Sequence, residues 1–230
     1  MIFDTAQKPA LVVPIAGTTP QLLVSEAEEA AAAGADVIEW RMDFLVGAHG
    51  TLSCAALAND VVAPILKKVP VPLLLTMRTV GQGGRARLAP GRYRLFFAEM
   101  LDTLLHLEAD PQRIGIDLEY AFPQTPQLAR QALRLGFTVV VSHCDWDEEM
   151  PDADMLRLIL AEMLELPDVA VKLAVNASAP EDIRRLLAVA REMGAEYNRM
   201  IIALPLGADA AGVRKCCAVS DMPAVWGSFA

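Results

Sequence analysis

Short apolar runs alternate with longer amphipathic stretches along the whole chain. Runs rich in β-branched residues, bounded by Gly, Pro, Asn or Asp, predict strands, and apolar residues at helical spacing predict helices between them. The eight predicted strands are residues 10–16, 35–44, 72–78, 113–120, 137–146, 168–176, 198–206 and 222–227. The clearest predicted helices are residues 20–33, 92–108, 126–135, 153–164 and 180–193. We expect Gly34, Gly136 and Gly194 to end three of these helices.

Eight strands with helices between them, in a chain of 230 residues, predict a parallel (β/α)8 barrel, the TIM-barrel architecture. No linker or low-complexity segment divides residues 1–230, so we expect a single barrel domain. The alternative is an open doubly wound sheet, which usually carries a glycine-rich phosphate loop after its first strand. Residues 14–19 form no such loop.

The sequence stops directly after the eighth predicted strand, so no eighth helix is expected within these 230 residues. Either the true tail is not part of this sequence, or a partner covers that flank. A barrel flank without its helix would expose an apolar patch. A twofold homodimer that buries this flank is therefore the predicted assembly, since symmetric dimers are the commonest oligomers.

Lys172 stands in the middle of an apolar, β-branched run, residues 169–175. Burial of its charge is costly unless the ammonium is paired or its pKa falls. A lowered pKa would make the amine a nucleophile toward carbonyl groups, the route to a Schiff base. The alternative is a lysine on an edge strand, directed to solvent.

Several other predicted strands carry charge on one face, because neighbouring strand residues point to opposite sides of a sheet. On the second strand, Asp43 is expected to share a face with Glu39 and Arg41. The apolar faces should pack on helices, so the polar faces should point into the barrel. The charged residues expected to converge near the carboxyl ends of the strands are Glu39, Arg41, Arg78, Glu119 and Lys172. Buried charge is a poor way to stabilise a core, so the cluster predicts a site, and its arginines favour an anionic or polyhydroxylated ligand.

Composition narrows the classes of partner. The chain is 54% hydrophobic and has a formal net charge of −9, with a pI of about 4.8. An acidic chain without a basic patch is not expected to bind nucleic acid or anionic lipid. No targeting signal or long apolar span opens the sequence, so a cytoplasmic location is expected. The four cysteines and three histidines have no metal-site spacing, so no metal is expected.

These residues resemble those of type I 3-dehydroquinate dehydratases over nearly the whole chain. The matching segments carry the family's patterns Glu-x-Arg-x-Asp, Thr-x-Arg followed by Gly-Gly, Asp-hydrophobic-Glu, the start of the histidine motif, the strand of the imine lysine, the substrate-carboxylate arginine and a terminal aromatic-Gly pair. They are residues 39–43, 76–84, 117–119, 139–142, 171–175, 207–214 and 226–227. Each pattern alone is weakly specific, and their shared order makes the resemblance strong.

The resemblance implies a lyase of the shikimate pathway that dehydrates 3-dehydroquinate, a cyclic ketone with a carboxylate. Lys172 would form an imine with the ketone, and Arg214 would bind the carboxylate. The amine supplies the electron sink, so no cofactor is expected. The other predicted substrate-binding residues are Glu39, Arg41, Arg78, Gln82 and Glu119.

The histidine motif departs from the family pattern. Cys144 occupies the position of the catalytic histidine, and His143 precedes it. Alternation points Ser142 and Cys144 inward and His143 outward unless a bulge intervenes. A thiol has a pKa of about 8.5, and loss of a placed acid–base group typically costs ~10²–10⁴ in rate. We therefore predict retained imine formation with impaired dehydration unless His143 replaces the missing base.

Two further departures accompany this one. Gln82 stands where the family has a carboxylate, and the family's lid, with a Ser and a Gln, would lie beyond Ala230. Two alternatives to the dehydratase therefore stay open. One is a diverged, aldolase-like lyase that forms an imine with another carbonyl compound, and the other is a catalytically silent homologue that binds a shikimate-like acid.

Overall fold

The structure is a computed structural model that describes residues 2–3, 9–50, 52–146, 149–177, 179–207 and 223–227. Eight parallel strands form one sheet in the order β7-β6-β5-β4-β3-β2-β1-β8. They are β1 Ala10–Ile15, β2 Val37–Arg41, β3 Leu73–Thr76, β4 Ile114–Glu119, β5 Thr138–Asp145, β6 Ala170–Asn176, β7 Ile201–Leu206 and β8 Ala224–Trp226. β8 also lies against β7, although no ladder joins the two within the described residues, so the barrel is nearly closed. The predicted TIM barrel is confirmed.

Helices occupy the connections between consecutive strands from β1 to β7. They are α1 Pro20–Ala32, α2 Met42–His49, α3 Cys54–Leu57, α4 Ala63–Lys68, α5 Pro90–His106, α6 Thr125–Arg134, α7 Ala153–Leu164 and α8 Pro180–Tyr197. A π-helical turn, Ala58–Val62, joins α3 to α4. The sequence pattern did not resolve α2, α3 and α4, because three short helices in succession give no sustained 3.6-residue period. The predicted absence of a helix after β8 concerns residues 228–230, which lie outside the described residues.

The predicted extension of the second strand to residue 44 is wrong. β2 ends at Arg41, and Asp43 lies in the first turn of α2. A carboxylate there is favourable because it faces the unpaired N–H groups of the helix start. Asp43 therefore does not continue the strand face that carries Glu39.

Of the three predicted helix ends, two are confirmed. Gly34 and Gly136 adopt φ values of +90° and +87°, the left-handed conformation that favours glycine after a helix. Gly194 instead lies inside α8, which continues to Tyr197. Asn198, with φ 50° and ψ 49°, follows the last helical residue there. Asparagine tolerates the left-handed region better than most residues, so it replaces glycine at this end.

Two apolar clusters fill the fold on opposite sides of the strands. The larger one packs the outer face of the barrel against the helices and includes Trp40, Tyr93 and Phe97. The smaller one fills the amino-terminal half of the barrel interior, where Ile2 and Phe3 close the floor. Gly115 leaves room for this plug, since a Cβ atom there would lie 2.5 Å from Ile2 Cδ1. The charged side chains described in the interior thus lie in its carboxyl half, while at the floor the Thr138 hydroxyl accepts a hydrogen bond of 3.0 Å from the Ile2 N–H.

No helix in the described part of the chain is both long and apolar enough to cross a membrane.

Candidate active site

Lys172 lies inside the barrel, on a strand that is paired on both sides. Its register neighbours are Ser142 on β5 and Ile202 on β7, and the residue is 3% exposed. The alternative of an edge-strand lysine directed to solvent is therefore wrong. The Nζ atom donates to Asp117 Oδ2 at 2.5 Å and to Glu39 Oε1 at 3.3 Å.

Pairing, rather than a lowered pKa, accommodates this buried amine. Burial alone lowers the pKa of Lys172, but the carboxylates of Asp117 and Glu39 outweigh it, and the pKa is raised above its usual value. Burial likewise favours the neutral acid of Glu39, yet Lys172 overcomes this, and the pKa of Glu39 is lowered. The free protein thus holds an ammonium–carboxylate pair, so of the two alternatives, pairing or a lowered pKa, the structure shows pairing.

Asp117 is the centre of the cluster, and the sequence did not single it out as a ligand-binding or catalytic residue. Besides Lys172, it accepts hydrogen bonds from Arg78 Nη2 at 2.9 Å and from the Ser142 hydroxyl. Burial opposes its charge, but Arg78 and Lys172 hold the pKa of Asp117 at about 2. A usable signal was present, since Asp117 shares a strand face with Glu119 two residues later.

Arg78 and Glu119 form the second layer of the cluster. Arg78 lies two residues after the end of β3, is 4% exposed, and donates to Glu119 Oε1 at 3.3 Å and Ser142 Oγ at 2.9 Å. The Thr79 N–H and hydroxyl each donate to Glu119 at 2.7 Å. Burial raises the pKa of Glu119 despite the opposing effect of Arg78. Both oxygens of Glu119 are thus engaged in holding the turn after β3.

Arg41 lies beside this cluster rather than within its hydrogen-bond network. Its guanidinium makes two hydrogen bonds of 2.8 Å to Asp43 and stands 5.1 Å from the Phe44 ring centroid. Glu39, by contrast, is reached by the Thr76 hydroxyl at 2.9 Å. Of the five charged residues expected to converge, Arg41 makes its described hydrogen bonds to Asp43 instead of to the cluster.

Cys144 faces the cluster, and His143 does not. The β5–β6 ladder runs without a bulge from Val140 to Asp145, so strict alternation holds. His143 stands beside Leu173, a member of the outer core. Its Nδ1 atom is buried without a hydrogen-bond partner among the described residues, and burial lowers the pKa of His143.

The thiol of Cys144 is protonated at neutral pH. Burial raises its pKa more than Arg78 and Lys172 lower it. Because Cys144 stands at the position of the family's histidine, the side chain of Gln82 has no imidazole to orient. It accepts a hydrogen bond of 2.6 Å from the Cys144 backbone N–H and so ties the loop after β3 to β5.

Trp226 of β8 closes the site from the side of the last strand. Its indole N–H donates to Glu39 Oε2 at 2.9 Å, and its ring centroid is 4.8 Å from Lys172 Nζ. The sequence marked Trp226 only as the aromatic of a terminal pattern, because residues 222–227 carry no alternation of polar and apolar side chains that would assign a face. The predicted carboxylate ligand, Arg214, lies outside the described residues.

The chain is similar to known proteins in sequence and in fold. The family model for Type I 3-dehydroquinase matches residues 11–220. A 3-dehydroquinate dehydratase of Latilactobacillus sakei is 29% identical over 172 residues, which are 74% of this chain and 65% of that protein. One of Bacillus licheniformis is 30% identical over 201 residues, 86% of this chain and 75% of that protein.

The fold comparison agrees with the sequence comparison. The crystal structure of the type I 3-dehydroquinate dehydratase of Clostridium difficile superposes with a TM-score of 0.80 at 24% identity, and the match covers 96% of this chain and 84% of that one. At that identity the likeness shows the fold alone.

Proposed function

The chain belongs to the type I 3-dehydroquinase family, and from this we propose that it dehydrates 3-dehydroquinate to 3-dehydroshikimate through an imine on Lys172. The observation that carries the proposal is the buried amine of Lys172, which is held by Asp117 and Glu39 at the carboxyl end of the barrel. Active sites of TIM barrels lie at this end. The reaction belongs to the shikimate pathway, as the resemblance implies.

The first chemical step is imine formation. The ammonium of Lys172 loses one proton, and the neutral amine adds to the ketone carbon. The resulting carbinolamine loses its oxygen as water and leaves an iminium cation. Asp117 and Glu39 are the nearest proton acceptors, since both already accept hydrogen bonds from Nζ. Their two negative charges also stabilise the cationic nitrogen that forms.

The second step is elimination. The iminium withdraws electrons from the neighbouring carbon, whose proton is taken by a base, and the β-hydroxyl leaves with a proton as water. Cys144 is the proposed base, because alternation along β5 directs its side chain to the same face as Ser142, whose hydroxyl accepts from Arg78. Only the thiolate of Cys144 can take the proton, and the thiol is largely protonated at neutral pH, so we propose a slow dehydration step. Hydrolysis of the imine then returns the amine.

Substrate binding is assigned to groups around this amine. We propose that Arg214 binds the carboxylate and that Glu39, Arg41, Arg78 and Gln82 contribute to the ring-hydroxyl side. Glu119 is proposed to act through Arg78 and Thr79, because both of its oxygens already accept hydrogen bonds. The acidic net charge of −9 supports a small-molecule substrate rather than nucleic acid.

The test is reductive trapping. The protein is mixed with 3-dehydroquinate and borohydride and then weighed intact and after digestion. An imine adds the mass of the ligand minus one water plus two hydrogens to Lys172, and the dehydrated product lacks one further water. K172M should give no adduct, whereas K68A, which removes a half-exposed lysine, should give the wild-type adduct.

The adduct mass also separates the alternatives. An adduct that has lost the second water, together with turnover, supports the dehydratase. An adduct with no second loss of water favours a diverged imine-forming lyase or a silent homologue. Cys144 and Gln82, which replace the family's histidine and carboxylate, are the reason to test for this outcome. A wild-type protein without any adduct would overturn the proposal.

We further propose a cytoplasmic location and a twofold homodimer. The location rests on the sequence expectation. The dimer is checked by sedimentation equilibrium, where a single species of one-chain mass across concentration would contradict it.

A further inference from the structure

The Lys172 nitrogen lies over the aromatic ring of Trp226, which has no part in the proposed proton transfers. The Trp226 ring centroid lies 4.8 Å from Nζ, within the range of a cation–π contact, and the lysine is 3% exposed. The indole N–H donates to Glu39 Oε2 at 2.9 Å. The other oxygen of the same carboxylate, Oε1, accepts from Nζ at 3.3 Å.

We propose that Trp226 selectively stabilises the positively charged nitrogen of Lys172, first as the ammonium and then as the iminium, with the N–H bond to Glu39 fixing the ring over Nζ. A ring face attracts a cation and has no comparable attraction for a neutral amine or a neutral imine. Because the site is desolvated, the attraction is screened little by water.

The consequence for the chemistry is specific. Only the protonated imine is a strong electron sink, so a group that disfavours loss of its proton keeps the intermediate competent for elimination. The same group makes the free amine harder to deprotonate. Trp226 thus slows the attack of the amine at a given pH and extends the pH range over which the imine stays charged. The part concerning the iminium rests on the proposed function, and the part concerning the ammonium does not.

Other charged or ionisable groups surround the nitrogen and must be accounted for in the test. Within the described residues they are Glu39 on β2, Arg78 after β3, Asp117 on β4 and Cys144 on β5. Substitution of Trp226 leaves these groups in place, but W226F and W226L both lose the N–H bond to Glu39, so the difference between these two variants isolates the ring face. Val12, the register partner of Trp226 on β1, offers a matched packing control because it touches the same interior cluster and carries no π face.

The experiment compares wild type with W226F, W226L and the packing control V12A. Amine basicity is read by competitive acetylation with acetic anhydride, which reacts with neutral amines, across a pH series, with Lys68 as an internal reference. At pH 8 we expect Lys172 to be acetylated about threefold to tenfold faster in W226L than in wild type, with W226F between them. V12A should match wild type.

The second readout uses the ketone. Cyanoborohydride reduces the charged iminium, so the yield of trapped 3-dehydroquinate adduct should fall toward alkaline pH. In W226L this fall should begin at lower pH than in wild type. A site that is merely loosened would speed both acetylation and trapping, whereas loss of cation stabilisation speeds the first and reduces the second.

The outcomes separate the two proposals. Equal acetylation of Lys172 in wild type, W226F and W226L would overturn the role of Trp226, and so would V12A behaving like W226L. Ordered acetylation rates with no ketone adduct in wild type would leave the ammonium contact established and refute the proposed function instead.

Discussion

At the scale of single residues, the decisive quantity is the protonation state of Lys172. Burial alone would have driven its proton off, which is why an apolar strand with one lysine predicts a nucleophile. The carboxylates of Asp117 and Glu39 reverse that sign. The charged pair therefore holds the amine in its protonated, non-nucleophilic form at neutral pH.

The raised pKa of Lys172 predicts a pH dependence of imine formation. A lysine whose pKa lies above its usual value is almost fully charged at neutral pH, and the fraction of its neutral amine grows about tenfold per pH unit. Initial rates of adduct formation, measured by quenching samples into borohydride at one fixed pH, should therefore rise steeply between pH 7 and 9. A rate that is flat over this range would show a neutral resting amine and contradict the pairing.

The inward position of Cys144 predicts a gain of activity on restoring an imidazole. C144H should increase turnover, up to ~10²–10⁴-fold if the ring reaches the reacting carbon, because its pKa lies near neutrality. The double variant C144H/Q82E should exceed C144H, since a carboxylate can orient the ring. Turnover is followed by the ultraviolet absorbance of the conjugated product.

H143N is the matched control for this series. His143 lies on the outer side of β5 beside Leu173, so its replacement should leave turnover within about twofold. A large loss in H143N, with no gain in C144H, would show that the strand register seen here is not the working one.

At the scale of elements, the loop after β3 is fastened to the end of β5. Gln82 contributes its side-chain oxygen to the Cys144 N–H and its backbone carbonyl to the Trp146 indole N–H, at 2.6 Å and 3.0 Å. Gly83 makes the close approach possible, because its φ is +79° and a Cβ atom would lie 2.2 Å from Trp146 Nε1. Cys144 is therefore positioned by a neutral hydrogen bond from its backbone N–H to the Gln82 side chain, and not by an ion pair.

G83A should therefore destabilise the protein by about 1–2 kcal/mol, from the left-handed backbone and the displaced indole. G81A, in the same loop, has no atom within 4 Å of the added Cβ and no positive φ, so it should change stability by less than about 0.5 kcal/mol. Urea denaturation measures both. Equal effects of the two variants would refute the fastening of the loop through Gly83.

At the scale of the whole molecule, the barrel divides its interior into an apolar floor and a charged upper half. The floor, with Ile2 and Phe3, supplies apolar burial without the paired charges of the upper half. The upper half concentrates paired charges, which contribute little net stability but are costly to leave unpaired. The ion pairs of the charged half require ionised carboxylates, so the free energy of unfolding should depend on pH.

Acid unfolding should report Asp117. Its pKa in the folded protein is about 2, below its ordinary 3.8, so its contribution is present above about pH 4 and is lost as pH falls through 3.8 toward 2. The expected loss is on the order of 2 kcal/mol. Urea unfolding at a series of pH values measures it.

Two variants test the assignment of this acid dependence. D117N should reduce the loss between pH 4 and 2 and lower stability at neutral pH, because Lys172 and Arg78 lose a shared carboxylate. D154N, which alters an almost fully exposed carboxylate, should leave the profile unchanged. An unchanged profile in D117N would contradict the assignment.

Much of the architecture follows from local pattern. Alternating apolar runs and amphipathic stretches predict eight strands and a TIM barrel, and the period of two assigns Lys172, Glu39 and Cys144 to the interior. The sequence predicted the ends of strands and helices less well, as at Arg41 and Gly194. Neighbouring side chains and backbone contacts decide where an element ends.

The sequence by itself determined the barrel, the family and the strand face of the lysine, because periodicity and residue order are local properties of the chain. Only the tertiary structure decided that the lysine is paired and charged, that Asp117 is its main partner, and that Trp226 covers its nitrogen. Those contacts join β2, β4, β6 and β8, and the sign of a buried pKa shift depends on distances between groups that are far apart in sequence.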